Sequence, residues 1–270
     1  MSSLFDRYGP RALILGGSEG IGASFASQLA AQGFALTLVG RRQAPLEKFA
    51  ARLRSDHGVD VRILLRDLAA PGIENEAEAI IDEKDYGLVI YNAGAAHGIG
   101  LFVEMPASDA FDLVRLNCLA PTAFAHAALR RMRDRGKGGL LLVSSMSGLV
   151  GAGHIAVYGA TKSFEIILAE GLHWEMKRHG VDVSCLVAGL TDTPAVARSG
   201  AILDGSAGFV AMASDDVAAM GLAALGQGPT CYAVGQQAAD AIRAAPRDGA
   251  IEAMSQATVN IWKLDRTAGQ

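Results

Sequence analysis

Cysteine is scarce in this 270-residue sequence. Cys118, Cys185 and Cys231 are widely separated and odd in number, which argues against both a disulfide framework and a CxxC metal knuckle. Charge is also sparse, at 19% of residues with a net of -4, and the basic residues are scattered rather than striped. No electrostatic surface for nucleic acid is expected. No apolar run approaches the length of a membrane span. The first residues place mixed charges ahead of a very short apolar stretch, unlike a signal peptide. The expectation is a cytoplasmic protein without a membrane span. What is abundant is apolar residue (50%) and glycine (32), a composition for a sizeable core bounded by tight turns. The length fits one α/β domain over residues 1–270, at the upper edge of what one core supports.

Periodicity supplies the architecture. "RALILGG" is a β-rich run ending in glycines, and Ile21, Phe25 and Leu29 then recur every fourth residue until Gly33 ends the helix. "FALTLVG", "VDVRILLRD", "YGLVIYNAG", "GGLLLVSS", "VDVSCLVAG" and "TCYAVG" read as further strands. Helices are expected over "LEKFAARLRSDHG", Ala107 to Arg135 (one long or two broken), Tyr158 to His179, and Asp215 to Leu225. Near-continuous apolar strands alternating with helices predict a Rossmann-type, doubly wound, seven-stranded parallel sheet covered on both faces. The core should span 11–235. An irregular, small-residue segment at 193–208 follows strand six, at the sheet edge where ligands sit, and is a candidate substrate loop. The extension 236–270 shows weaker patterning, with a short helix over "IEAMSQATVNIWKL".

Gly16, Gly20 and Gly22 lie between the first strand and the first helix. Glycine allows the turn and close backbone approach, and the helix N-terminus offers N–H groups to a phosphate. A dinucleotide is the expected ligand. At the end of strand two, Gly40 stands where a carboxylate would bind a ribose 2′-hydroxyl, followed by Arg41 and Arg42. Guanidinium groups suit a 2′-phosphate, so NADP(H) is favoured over NAD(H). Glu19, inside the glycine loop, opposes this unless Arg41 or Arg42 pairs with it.

These motifs resemble the short-chain dehydrogenase/reductase family in its single-domain form, from about Arg11 to Gly235. Gly-x3-Gly-x-Gly is matched by Gly16, Gly20 and Gly22, and the intervening Ser18, Glu19 and Ile21 belong to the same loop. Asp67 and Leu68 resemble the pair bordering the adenine, and Asn92, Ala93 and Gly94 the turn after strand four. Thr193, by its offset from Gly189, resembles the residue that contacts the nicotinamide carboxamide. Asn117, Ser145, Tyr158 and Lys162 match the family's catalytic set, Ser145 rather than Ser144 having the family's thirteen-residue offset from Tyr158. Departures are Leu15 for Thr, Tyr91 for the first Asn of the turn, and Ala188 for Pro.

The resemblance implies interconversion of a small-molecule carbonyl and an alcohol by an oxidoreductase. An alkoxide is too basic to form freely near neutral pH, so a positioned acid must protonate it as it develops. Tyr158 is expected to serve, its phenolate favoured by Lys162 at i+4 on the same helical face. Ser145 would donate to the substrate oxygen. Asn117 would hold a water against Lys162, and Lys162 the nicotinamide ribose, as in the family. His97, Met146, His154 and Leu190 are candidate substrate contacts, while His57, His126, His173 and His179 read as helix-surface residues. No histidine or cysteine cluster has metal-ligand spacing, so no catalytic metal is expected. The resemblance also implies a homodimer or homotetramer; the apolar Phe164, Ile167, Leu168 and Leu172 series agrees with a buried helix, covered either by the sheet or by another chain. A dinucleotide-binding sensor without turnover and an epimerase or dehydratase of the extended relatives are the rival readings.

Overall fold

The computed structural model describes residues 3–94 and 99–264. In chain order the main elements are α1 (Leu4–Tyr8), β1 (Arg11–Leu15), α2 (Gly20–Ala30), β2 (Ala35–Gly40), α3 (Gln43–His57), β3 (Val61–Leu65), α4 (Ile73–Asp82) and β4 (Leu88–Tyr91). There follow α5 (Ala107–Val114), α6 (Ala120–Arg135), β5 (Gly138–Ser145), α7 (Ala156–Lys177), β6 (Val181–Ala188), β7 (Thr191–Asp192) and α8 (Pro194–Arg198). The chain continues with β8 (Met212–Ala213), α9 (Ser214–Ala224), β9 (Thr230–Tyr232), α10 (Gln236–Ala244) and α11 (Arg247–Trp262).

Seven strands form one parallel sheet in the order β3-β2-β1-β4-β5-β6-β9. Successive strand side chains point to opposite faces, and the core divides accordingly. Leu13, Leu15, Val39, Val89 and Tyr91 pack with Ile80, Phe124, Leu129, Ile166 and Ala169 of α4, α6 and α7. Ala12, Ile14, Leu36, Leu38 and Ile90 pack on the other side with Phe25, Leu29, Leu46, Leu53 and Leu222 of α2, α3 and α9. Burying each such large side chain contributes roughly 1.5–3 kcal/mol before chain entropy is set against it. The chain winds outward from β1 through β2 to β3, then returns to β4 on the other side of β1. The crevice between the C-terminal ends of β1 and β4 is therefore the expected ligand site.

Several local expectations need correction. α4 was not anticipated, because its acidic residues mask a buried stripe of Ile73, Ala77, Ile80 and Ile81 at helical spacing. Between Ala107 and Arg135 the chain is helical without a gap, as one of the two expected arrangements has it, with a π-turn at Arg115–Leu119 joining α5 to α6. The segment 193–208 is only partly irregular, since α8 begins at Pro194 and β7 pairs with β8 immediately around it. The C-terminal segment is more ordered than its patterning implies, forming both α10 and α11.

α7 also differs from its expected burial. Lys162, Glu165, Ile166 and Ala169 face the interior, while Phe164 and Ile167 point outward. Leu168 and Leu172 are half-buried against the core.

Candidate active site

The glycine loop is built by close approach. Gly16 has φ 85°, and a Cβ there would stand 2.7 Å from the Ala93 backbone. A Cβ on Gly22 would come within 2.0 Å of the Gly16 carbonyl oxygen. Asn92 Nδ2 donates to that oxygen at 2.9 Å, tying the end of β4 to the end of β1. α2 starts at Gly20 with no side-chain cap from Glu19, which leaves its first N–H groups available to a phosphate. Ser18 is half-buried near Gly40, Ile21 packs half-buried on the core, Leu68 is buried, and Asp67 is exposed with its carboxylate accepting from the Ala69 N–H at 3.0 Å. These features fit a dinucleotide.

The two arginines diverge. Arg42 is bonded to Glu19 at 2.5 Å, while Arg41 is exposed and forms no ion pair among the described residues. Glu19 is also bonded by Arg198 from the end of α8, so it links the glycine loop to the segment after β6. Burial opposes its ionisation, but the Arg198 and Arg42 guanidinium groups outweigh this and hold its carboxyl below the usual range. Thr193 is buried on the same loop: it caps α8 by accepting from the Val196 N–H at 3.1 Å, and a Cβ on Gly20 would press on its methyl group.

The second half of the site is formed where β5, the π-turn and α7 meet. The close packing of α7 needs small residues: a Cβ on Gly148 would fall 2.7 Å from the Lys162 backbone, and one on Gly159 2.9 Å from the Ser147 carbonyl oxygen. Ser144 is buried and donates to the Lys162 carbonyl at 2.6 Å. Ser145 is half-buried, and its Oγ accepts from the Ser147 N–H at 3.2 Å. Tyr158 is half-buried, with Lys162 Nζ 6.0 Å from its ring centroid. Asn117 lies in the π-turn, fully buried, its Nδ2 donating to Thr161 Oγ1 at 2.9 Å. Asn117 Oδ1 has no partner among the described residues, an orphaned acceptor in a buried site. A Cβ on Gly94 would stand 3.0 Å from Lys162 Nζ and 3.7 Å from Asn117 Oδ1, so backbone, ammonium and amide converge there.

Lys162 is held by a residue that sequence reasoning missed. Its Nζ donates to the Val143 carbonyl at 3.0 Å and to both oxygens of Glu165, at 3.0 and 2.9 Å. Burial alone would lower the lysine's pKa; the adjacent Glu165 carboxylate reverses that and leaves it raised. Burial likewise pushes Glu165 up, to about 7, against the pull of Lys162. The available signal was the i+3 spacing, which puts both groups on one face of α7.

Of the candidate substrate contacts, His97 lies outside the described residues. His154 has the left-handed φ of 64° and its carbonyl accepts from the Gly100 N–H at 2.9 Å. Met146 opens a short turn after β5 and packs half-buried on the core. Leu190 is half-buried and its carbonyl accepts from Met212, joining β7 and β8. His173 is not a surface residue: it is half-buried, with Nδ1 2.8 Å from the Val183 carbonyl. No candidate metal cluster and no helix long and apolar enough to cross a membrane is found among the described residues. Tyr91, replacing the expected Asn, is buried and donates to the Leu116 carbonyl at 2.6 Å, fastening β4 to the π-turn that carries Asn117.

The profile of the short chain dehydrogenase family matches residues 10–202. The chain belongs to that family. It is 30% identical over 194 residues to a 7β-hydroxysteroid dehydrogenase of Collinsella aerofaciens, covering 72% of this chain and 73% of that protein. It is 33% identical over 194 residues to a very-long-chain 3-oxoacyl-CoA reductase of Phaeosphaeria nodorum, covering 69% of this chain and 57% of that longer protein. Among solved structures, a short-chain dehydrogenase from Sphingobium yanoikuyae in complex with NADPH superposes with TM-score 0.79 at 30% identity, over 97% of this chain and 98% of that one. This short-chain dehydrogenase is thus an oxidoreductase of the class acting on CH–OH groups. Gly16, Asn117, Ser145, Tyr158, Lys162 and Thr193 fall inside the matched span, whereas α10 and α11 lie beyond it.

Proposed function

We propose that this chain is an NADP(H)-dependent oxidoreductase in which Tyr158 is the general acid/base, assisted by Lys162, Ser145 and Asn117. The observation that carries the reading is the convergence of Lys162 Nζ and the orphaned Asn117 Oδ1 at Gly94, beside Tyr158 and at the mouth of the glycine loop. The cofactor, when bound, supplies or accepts hydride. Gly16, Ser18, Glu19, Gly20, Ile21 and Gly22 would hold its pyrophosphate end. Arg41 and Arg42 would meet a 2′-phosphate, with Asp67, Leu68, Asn92, Ala93 and Gly94 along the adenosine and Thr193 at the carboxamide.

In carbonyl reduction, Ser145 Oγ donates to the substrate oxygen and places it for Tyr158. Tyr158 protonates the alkoxide as negative charge develops, and the nearby Lys162 ammonium stabilises the resulting phenolate. In alcohol oxidation the same phenolate accepts the proton. Asn117 Oδ1, without a partner among the described residues, would accept from a water on the proton path toward Lys162. NADP(H) over NAD(H) is supported by Arg41, which has no ion pair among the described residues, by Gly40 in place of a carboxylate, and by the relative solved with NADPH.

The substrate is read as a ketone or aldehyde on a largely apolar skeleton. This rests on the steroid and long acyl substrates named for the relatives, and on exposed Phe209 and Val210 just beyond 193–208. We further read residues 11–235 as one cytoplasmic dinucleotide-binding domain carrying a C-terminal extension over 236–270. It assembles as a homodimer or homotetramer through α5, the π-turn and α7, whose Phe111, Val114, Leu119, Phe164, Ile167 and Trp174 are exposed.

The test is a screen of NADPH and NADH oxidation across carbonyl compounds of graded size, with Tyr158→Phe as control. Turnover should fall about 10²- to 10⁴-fold in the variant while NADPH binding persists. Near-wild-type turnover would remove Tyr158 from the chemistry, and NADPH binding without reduction of any compound by the wild type would favour a sensor.

A further inference from the structure

The buried pair Lys162–Glu165 is more than the proposed mechanism requires. Lysine has three N–H donors, and here Val143 and the two Glu165 oxygens provide three acceptors. The ammonium is satisfied within the protein, although Asn117 Oδ1 nearby has no donor among the described residues. Glu165 is fully buried and has no hydrogen-bond partner besides Lys162 among the described residues.

The groups facing Glu165 from other elements are Tyr91 of β4, Cys118 of the π-turn and Cys185 of β6, with Tyr158 on its own helix beyond Lys162. Burial holds Tyr91 and Cys185 well above their usual values and Cys118 at about 11, so these three are neutral near physiological pH. The pair is therefore electrically isolated in apolar surroundings, where charges act strongly over several ångströms. As a stabilising device it is poor, because two packed apolar side chains would serve as well or better. A perturbed buried carboxylate on the lysine beside a proposed acid/base residue points instead to the site's chemistry.

We propose that Glu165 is a positioning residue: its carboxylate anchors the Lys162 ammonium toward β5 and partly cancels its charge, thereby setting the acid strength of Tyr158. The proposal rests on Tyr158 being the acid/base. With Glu165 ionised, the field that favours the Tyr158 phenolate is weakened. With Glu165 neutral, the whole Lys162 charge acts on Tyr158. For Lys162 to hold a cofactor ribose it must surrender one of its three present bonds, so the countercharge also restrains where the ammonium can reach.

The experiment is the pH profile of kcat/KM for NADP⁺-dependent alcohol oxidation, paired with a tyrosinate absorbance titration of the NADP⁺ complex in which Tyr158→Phe supplies the subtraction. Glu165→Gln keeps the volume and a hydrogen bond to Lys162 but removes the charge. It should move the Tyr158 inflection down by roughly one pH unit in both measurements. Glu165→Met, equally neutral, should shift it in the same direction, and Glu165→Asp, which keeps the charge, should shift it less than Gln. An inflection that does not move, or moves upward because Lys162 loses its proton, overturns the proposal. So does failure of both neutral variants to give folded, NADPH-binding protein, which would make Glu165 a determinant of folding alone. Retained turnover in Tyr158→Phe would instead bring down the acid/base reading and this inference with it, whereas an inactive Tyr158→Phe with an unmoved Glu165→Gln profile rejects the inference alone.

Discussion

Asn117 and Thr161 are joined by a 2.9 Å hydrogen bond from amide to hydroxyl, between the π-turn and α7. The Thr161 hydroxyl in turn donates to the Tyr158 carbonyl at 2.9 Å, so one hydroxyl orients the Asn117 amide against the helix that carries Tyr158 and Lys162. A π-turn inserts a residue into a helical ladder and commonly marks a functional position. Here it places a buried amide whose oxygen has no donor among the described residues.

Thr161→Val should therefore release the amide while preserving shape. Loss of one such bond is worth about 1 kcal/mol, or roughly fivefold in kcat, with KM for NADPH little changed. Steady-state kinetics measure both, and a change confined to KM would place Asn117 in cofactor binding rather than in the proton path.

The Glu19 link predicts opposite effects on cofactor affinity. Arg41→Ala should weaken NADPH about tenfold or more and leave NADH nearly unchanged, because the lost bond is charge-assisted. Glu19→Gln should tighten NADPH severalfold by freeing Arg42 and removing a negative charge. The wild-type carboxyl is held below its usual range, so its pairing is complete at neutral pH and is lost only as acid passes through that lowered value. Fluorescence titration with both cofactors measures these effects, and equal losses for NADPH and NADH in Arg41→Ala would place recognition of the 2′-phosphate elsewhere.

Cys118 offers a check on burial in the π-turn. Desolvation, with a smaller effect from Glu165, raises its thiol to about 11, so the reactive thiolate is rare until strongly alkaline pH. Iodoacetamide at pH 8 should modify Cys118 about a hundredfold more slowly than a free cysteine. Peptide mass spectrometry over time reads the rate, and fast labelling would contradict the packing around Glu165.

The outward face of α7 predicts an assembly. Trp174 is 79% exposed and Ile167 64%, and with exposed Phe164 they share one face of α7 at helical spacing, an apolar strip suited to an interface. Trp174→Glu together with Ile167→Asp should convert a dimer or tetramer to smaller species in size-exclusion chromatography with light scattering. An unchanged mass would place the interface on another surface.

The sequence by itself determined the strand–turn–helix alternation and the position of each motif within it, because period-2 and period-3.6 burial and glycine punctuation are local properties. Gly16 and Gly22 were legible for the same reason, and the span from Gly16 to Thr193 lies within the family match. α4 was hidden because its acidic residues diluted the stripe that only packing exposes. Tertiary structure alone decided three matters at the candidate site. It paired Arg42 with Glu19, leaving Arg41 without an ion pair among the described residues; it turned Phe164 and Ile167 outward; and it buried the Lys162–Glu165 pair, whose i+3 spacing is visible in the sequence, so that both carboxylate oxygens accept from the ammonium away from water. Charge pairing and burial depend on which elements meet in space, and no local pattern encodes that meeting.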